Sequence, residues 1–122
     1  MDPMVVAPGV QAKTVQEFIA LAKAQPGKLN FGSAGVGSIH QLTMAIFQMD
    51  TGVNMVHVPY KGGSPMVAAV MAGEVASGFS GIPNVQQAIR GGKLKAIGIS
   101  TLRRSRSMPD VPTLDEQGVK GF

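Results

Sequence analysis

Cysteine and tryptophan are missing from this sequence, and other aromatic residues are scarce. Without a thiol there is no disulfide and no thiolate metal site, and residue usage leaves no trace of a redox compartment. Aromatics at 5% offer little surface on which unstacked bases could lie, which weighs against reading single-stranded nucleic acid. The histidines, His40 and His57, stand far apart with no carboxylate at ligand spacing, so no metal and no other cofactor is expected. No apolar stretch approaches the ~20 residues that span a bilayer. Met1-Asp2-Pro3-Met4-Val5-Val6 also lacks the basic head and apolar run of an export signal. As written, the chain is expected to be soluble and not exported.

What is present is aliphatic and rich in glycine. The 122 residues are 44% hydrophobic and 15% charged, with sixteen glycines, enough for one compact core built from Val, Ile, Ala, Leu and Met. The net charge of +4 reads first as solvated surface. Arg103, Arg104 and Arg106 cluster closely enough to suggest an anionic surface or nucleic acid as partner, but a solvated loop is the simpler reading.

Strand and helix alternate along the chain. Residues 4–7 read as a short strand ended by Pro8-Gly9, and Thr14 with Glu17 three residues on has capping-box spacing for a first helix. Residues 29–32 form a second strand. A helix capped by Ser38 runs to about Thr51, its apolar positions being Ile39, Leu42, Met44, Ala45, Phe47 and Met49. Residues 53–58 make a third strand, and Ser64 caps a third helix with Pro65 at its first position. Residues 74–80 make a fourth strand, a short helix ends at Gly91-Gly92, and 94–100 make a fifth strand. A final short helix is expected over 113–117, and the chain runs out at Gly121-Phe122. The pattern predicts an α/β layered domain with a mainly parallel sheet flanked by helices. Ligands of such sheets sit beyond the carboxyl ends of the strands, where the loops 33–38, 59–64 and 80–84 would gather.

The first of these loops organises the chain. Leu29-Asn30-Phe31-Gly32-Ser33-Ala34-Gly35-Val36-Gly37-Ser38-Ile39-His40 reads as strand, small-residue turn and helix start. Its chemistry lies in backbone N–H groups backed by the positive end of a helix dipole, an arrangement that binds anions. A tight turn that needs glycine only for its geometry is the alternative. The run is no dinucleotide fingerprint: His40 replaces the third glycine, and Asn54 and Met55 stand where an acid is needed. No Gly-Lys-Ser/Thr follows, so it is no phosphate-binding P-loop either.

His40, in the first helical turn, could point into the cleft or pack against the sheet edge. His57 reads as a structural histidine within an apolar strand. Tyr60-Lys61 could meet a ligand or simply turn the chain. Ser33 and Ser38 have only His40 nearby as a base, and no Asp or Glu placed to orient it, so a nucleophilic triad has little support.

Several ordered motifs carry a resemblance. Val5-Val6, Ala12-Lys13-Thr14, Pro26-Gly27-Lys28-Leu29-Asn30-Phe31-Gly32-Ser33-Ala34-Gly35 with Gly37-Ser38, Val56-His57-Val58-Pro59-Tyr60-Lys61-Gly62, Gly92-Lys93-Leu94-Lys95-Ala96 and Pro109-Asp110-Val111-Pro112-Thr113 together resemble the Bug family. These are periplasmic solute receptors of tripartite tricarboxylate transporters. The likeness covers nearly the whole chain and implies a fold like that of type II periplasmic binding proteins.

Bug proteins are longer, with two α/β lobes hinged around a cleft. The chain resembles the second lobe, inserted between the halves of the first, so residues 1–122 are expected to form one domain of an excised or truncated receptor. The resemblance implies a non-enzymatic receptor for a small carboxylate, working with membrane permease subunits in the periplasm and with no nucleic-acid partner. Its second-lobe cradle falls on Ser33, Ala34, Gly35, Gly37 and Ser38. His40 matches a position where the family often has His, Tyr60 matches the family turn, and Ser80 stands where many members carry Asp. A lone lobe would bind weakly or not at all, unless two copies pair face to face or exchange strands. The competing reading is a small hydrolase or transferase using Ser38 and His40 on an anionic substrate.

Overall fold

In the computed structural model, which describes residues 2–120, the expected alternation of elements is the one the chain adopts. The order is β1 (Pro3–Val6), α1 (Val15–Ala24), β2 (Asn30–Ser33), α2 (Ile39–Thr51), β3 (Val56–Pro59), α3 (Gly63–Ala72), β4 (Ser77–Phe79), α4 (Ile82–Arg90) and β5 (Lys95–Ile99). The expected exit at Gly121-Phe122 lies outside the described residues.

Local chemistry explains the boundaries. Thr14 caps α1 by accepting the Glu17 N–H at 3.1 Å, and Ser38 caps α2 by accepting the Gln41 N–H at 3.2 Å. Ser64, expected to cap α3, does not. The helix begins two residues earlier, at Gly63, and Gly62 is its cap without a side-chain bond. The third and fourth strands are shorter than expected because the preceding amides are used elsewhere. The Met55 N–H donates to Gln48 Oε1, and the Ala76 N–H donates to Asn30 Oδ1. The expected helix over 113–117 is a set of turns. There the Ile99 N–H donates to the Pro112 carbonyl and the Leu114 N–H to the Ile99 carbonyl, tying the segment to β5.

The sheet has the order β3-β2-β4-β1-β5. β2 is parallel to β3 and β4, whereas β1 is antiparallel to both neighbours, β4 and β5. Four strands therefore point one way, as a mainly parallel sheet requires, and β1 is threaded against them. Every residue of β1 is buried. Met4 and Val6 join a core with α1 and α2, and Val5 and Ala7 join another with α3 and α4. The domain is thus three layers, helices on both faces of the sheet.

The apolar residues of α2 do not act as one face. Met44 and Phe47 are buried, while Ile39, Leu42, Ile46 and Met49 form an exposed stripe, with Met49 at 85% exposure. Periodicity counts apolar positions but does not say which of two apolar faces meets the sheet.

Close packing depends on glycine where strands meet their cover. A Cβ on Gly98 would stand 2.6 Å from Leu114 Cδ2 and 2.9 Å from Val15 Cγ2, both held in the buried core. Gly98→Ala is therefore expected to cost about 1–3 kcal/mol. The check is urea unfolding, where the midpoint should fall with the slope unchanged; an unchanged midpoint would contradict this packing.

Candidate anion-binding site

The turns after β2, β3 and β4 meet at the carboxyl edge of the parallel strands, as that architecture predicts. The Tyr60 N–H donates to the Ser33 carbonyl and the Gly62 N–H to the Ala34 carbonyl, each at 3.0 Å. Gly63 lies against the Asn84 side chain. β1 enters at the same edge, where the Ser80 N–H donates to the Pro3 carbonyl.

Within the first turn, Gly35 and Gly37 have φ of 146° and 83°, values that side chains with a Cβ rarely adopt. The turn needs its glycines for geometry, and it also folds several amides onto its own atoms. The Gly35 N–H donates to Ser33 Oγ, the Ser38 N–H to the Gly35 carbonyl, and the Gly37 N–H to Gln41 Oε1 at 2.6 Å. Among the described residues, the amides of Val36, Ile39 and His40 are not used in this way. The last two lie in the first turn of α2, where N–H groups have no intrahelical acceptor.

These bonds fix the state of His57. A backbone N–H can only donate, so the atom of Gln41 facing Gly37 is its carbonyl oxygen. The Gln41 amino group then faces His57 Nδ1 at 3.2 Å and donates to it. Nδ1 therefore carries the lone pair, and the proton sits on Nε2, donating to Ser33 Oγ at 2.6 Å. The Ser33 hydroxyl in turn donates a hydrogen bond to the Gly35 carbonyl at 3.1 Å. The imidazole stacks on Phe31, ring centroids 4.9 Å apart. Burial holds its pKa below the usual histidine value. His57 is structural, as expected, and it braces the glycine turn through Ser33 and Gln41.

The Ser33–His57 pair also bears on the enzymatic reading. A base that activates serine must present a lone pair to it; here the imidazole presents its proton, and fully buried Ser33 gives its hydrogen to a carbonyl. Ser38 Oγ is committed to capping.

The remaining candidates lie as follows. His40 takes the packed position at the sheet edge, its Nε2 3.7 Å from Asp2 Oδ2. Its Nδ1 is buried without a hydrogen-bond partner. Asp2 is thus the acid beside His40 that spacing could not reveal. Ser80 is fully buried at the end of β4. Tyr60 brings its backbone to Ser33, while its ring packs into the α3 side of the core; burial, and then Glu74, push its phenol pKa up. Of the arginine cluster, Arg104 is tied to Glu116 at 2.7 Å and to the Pro109 carbonyl, and this pairing pulls the Glu116 carboxyl down to about 2. Sequence reasoning missed Gln41, although its place four residues past Gly37, on the turn that Ser38 caps, was a usable signal.

Residues 2–122 match the family model TctC, described as the tripartite tricarboxylate transporter family receptor. The chain belongs to this family. BugT of Bordetella pertussis is 35% identical over 119 residues, covering 98% of this chain and 36% of BugT. The UPF0065 protein in the gbd 5′ region of Cupriavidus necator is 40% identical over 116 residues, 95% of this chain and 35% of that protein. Among solved structures, MatC from Rhodopseudomonas palustris with bound malate is similar with a TM-score of 0.94 at 30% identity, over 99% of this chain and 41% of MatC. An R. palustris protein with adipate gives a TM-score of 0.96 at 27% identity, over 99% and 40%. The chain thus spans about a third of the length of these curated relatives. TctC proteins are receptors, not enzymes, in keeping with the proton placement at Ser33.

The lowered His57 pKa sets a pH dependence. Folding weakens proton binding at His57, so the unfolded chain holds more protons in acid. The contribution of His57 to stability is present above its unfolded value of about 6.5 and is lost as pH falls through that value toward the lower folded one. Urea unfolding at pH 7.5 and 5.5 should show lower stability at 5.5, with His57→Gln reducing the difference. An equal difference in both proteins would contradict the assignment.

Proposed function

We propose that this chain is the second lobe of a two-lobe solute receptor for a small organic carboxylate. The ligand meets the carboxyl edge of the sheet, where Ser33, Ala34, Gly35, Gly37, Ser38 and His40 form the cradle. Tyr60 and Ser80 frame it, Tyr60 through its backbone. In the longer protein the other lobe closes over the ligand, and the loaded receptor delivers it to the permease subunits of a tripartite transporter in the periplasm.

The observation that carries the reading is the convergence at that edge. The amides of Val36, Ile39 and His40 at the start of α2 are not taken up by the turn's own hydrogen bonds, and the helix dipole lies behind them. Carboxylate oxygens answer that need. The malate and adipate held by family neighbours belong to the same chemical class. An isolated lobe presents half of such a cleft, so its affinity is weak, and the exposed apolar stripe of α2 is available for pairing of two copies.

Thermal unfolding against mono-, di- and tricarboxylates, with the solution mass recorded alongside, tests this. Stabilisation follows RT ln(1 + [L]/Kd), so a dicarboxylate at a hundredfold excess over Kd should add about 2.7 kcal/mol. A melting temperature that rises with malate or adipate, and does not rise with sodium chloride at matched ionic strength, is expected. No rise with any carboxylate at concentrations up to tens of millimolar would overturn the reading for this chain.

A further inference from the structure

Gln41 occupies an atom that the receptor reading assigns to the ligand. Its side-chain oxygen sits on the Gly37 N–H at 2.6 Å, in the geometry a carboxylate oxygen would take. Its other end is held by His57 Nδ1. An amide side chain has one acceptor end and one donor end, so these contacts are coupled.

We propose that Gln41 is an internal stand-in for the ligand's carboxylate, and that the protonation of His57 decides whether it stays. The inference rests on the receptor reading above. With His57 neutral, the Gln41 amino group donates to Nδ1 and its oxygen covers Gly37. When Nδ1 takes a proton from solvent, two donors face each other. The amide turns over, its oxygen accepts from Nδ1–H, and its amino group then opposes the Gly37 N–H. The Gly37 amide is released, and a positive charge lies behind the cradle.

The same cycle runs from the ligand's side. A carboxylate oxygen that takes Gly37 displaces the Gln41 oxygen, which is then free to accept from a protonated imidazole. Binding and proton uptake favour each other by the same factor, as linkage demands. The groups facing the ring are Phe31 and Ser33 from β2 and Gln41 from α2, none of which ionises in this range. Burial is the cause of the displaced His57 titration. Its working window lies below the ordinary histidine value of about 6.5.

The test is a proton–nitrogen NMR titration of the ligand-free chain from pH 8 to 5, following the His57 ring nitrogens and the Gly37 amide. At high pH, His57 should carry its proton on Nε2, and the Gly37 amide should move with the same midpoint as His57. Gln41→Ala should abolish that shared titration, leaving Gly37 unmoved while His57 still titrates. An Nδ1–H tautomer at high pH, or a Gly37 amide indifferent to His57 in the parent chain, would overturn the proposal. These readings need no ligand, so they stand apart from the carboxylate assay of the receptor reading.

A second arm uses adipate as the probe. In the parent chain its affinity should rise several-fold between pH 7.5 and 5.5. In Gln41→Ala that dependence should be lost, with affinity at pH 7.5 raised. Gln41→Glu, which fixes a carboxylate over Gly37, should abolish adipate binding. Adipate binding that gains with acid equally in the parent and Gln41→Ala would contradict the stand-in.

Discussion

β1 is buried on both faces and lies between β4 and β5, so both edges of its backbone must find hydrogen bonds inside the protein. Antiparallel ladders on either side supply them, and the direction of that strand decides what lies at each end of the sheet. Because β1 runs against the other four strands, its beginning stands at their carboxyl edge. Asp2 and Pro3 are thereby brought beside Ser80 and His40, in the place where the turns after β2, β3 and β4 already meet. A parallel β1 would have delivered those residues to the far edge.

At that edge the turn before α2 is a compromise between stability and availability. A helix start leaves donors without partners, and a loop with all of them exposed would be floppy. Here Ser33, Gln41 and Ser38 satisfy some of the amides and hold the turn in shape, while those of Val36, Ile39 and His40 are left without such a bond. The stacking of His57 on Phe31 ties this arrangement to the sheet. The turn is thus braced by β2 and β3 through Ser33, Phe31 and His57, and by one side chain of α2, Gln41.

Much of this was legible in the residues. The caps at Thr14 and Ser38, the glycine turn and the meeting of three loops follow from short-range chemistry, which spacing reports well. What escaped depended on partners far apart in the chain. Asp2 beside His40, Gln41 against His57 and the antiparallel course of β1 are set by tertiary pairing that no local pattern encodes. At 113–117 the local signal is real, since Thr113 and Glu116 exchange the reciprocal bonds of a helix start, but the segment closes as turns. On α2 the pattern was visible but ambiguous, since buried Met44 and Phe47 and the exposed stripe both recur at helical spacing. The ordered motifs of the family resemblance covered what periodicity alone left open, namely which kind of α/β layer this is.

The central claim is that a small carboxylate is held at the start of α2, and the most direct measurement maps where one lands. Backbone amide shifts of the chain titrated with adipate should change most at Val36, Gly37, Ile39 and His40, with a common saturation curve. Changes concentrated at residues 103–106, or spread without saturation, would contradict the account and point to the arginines as a simple charge sink.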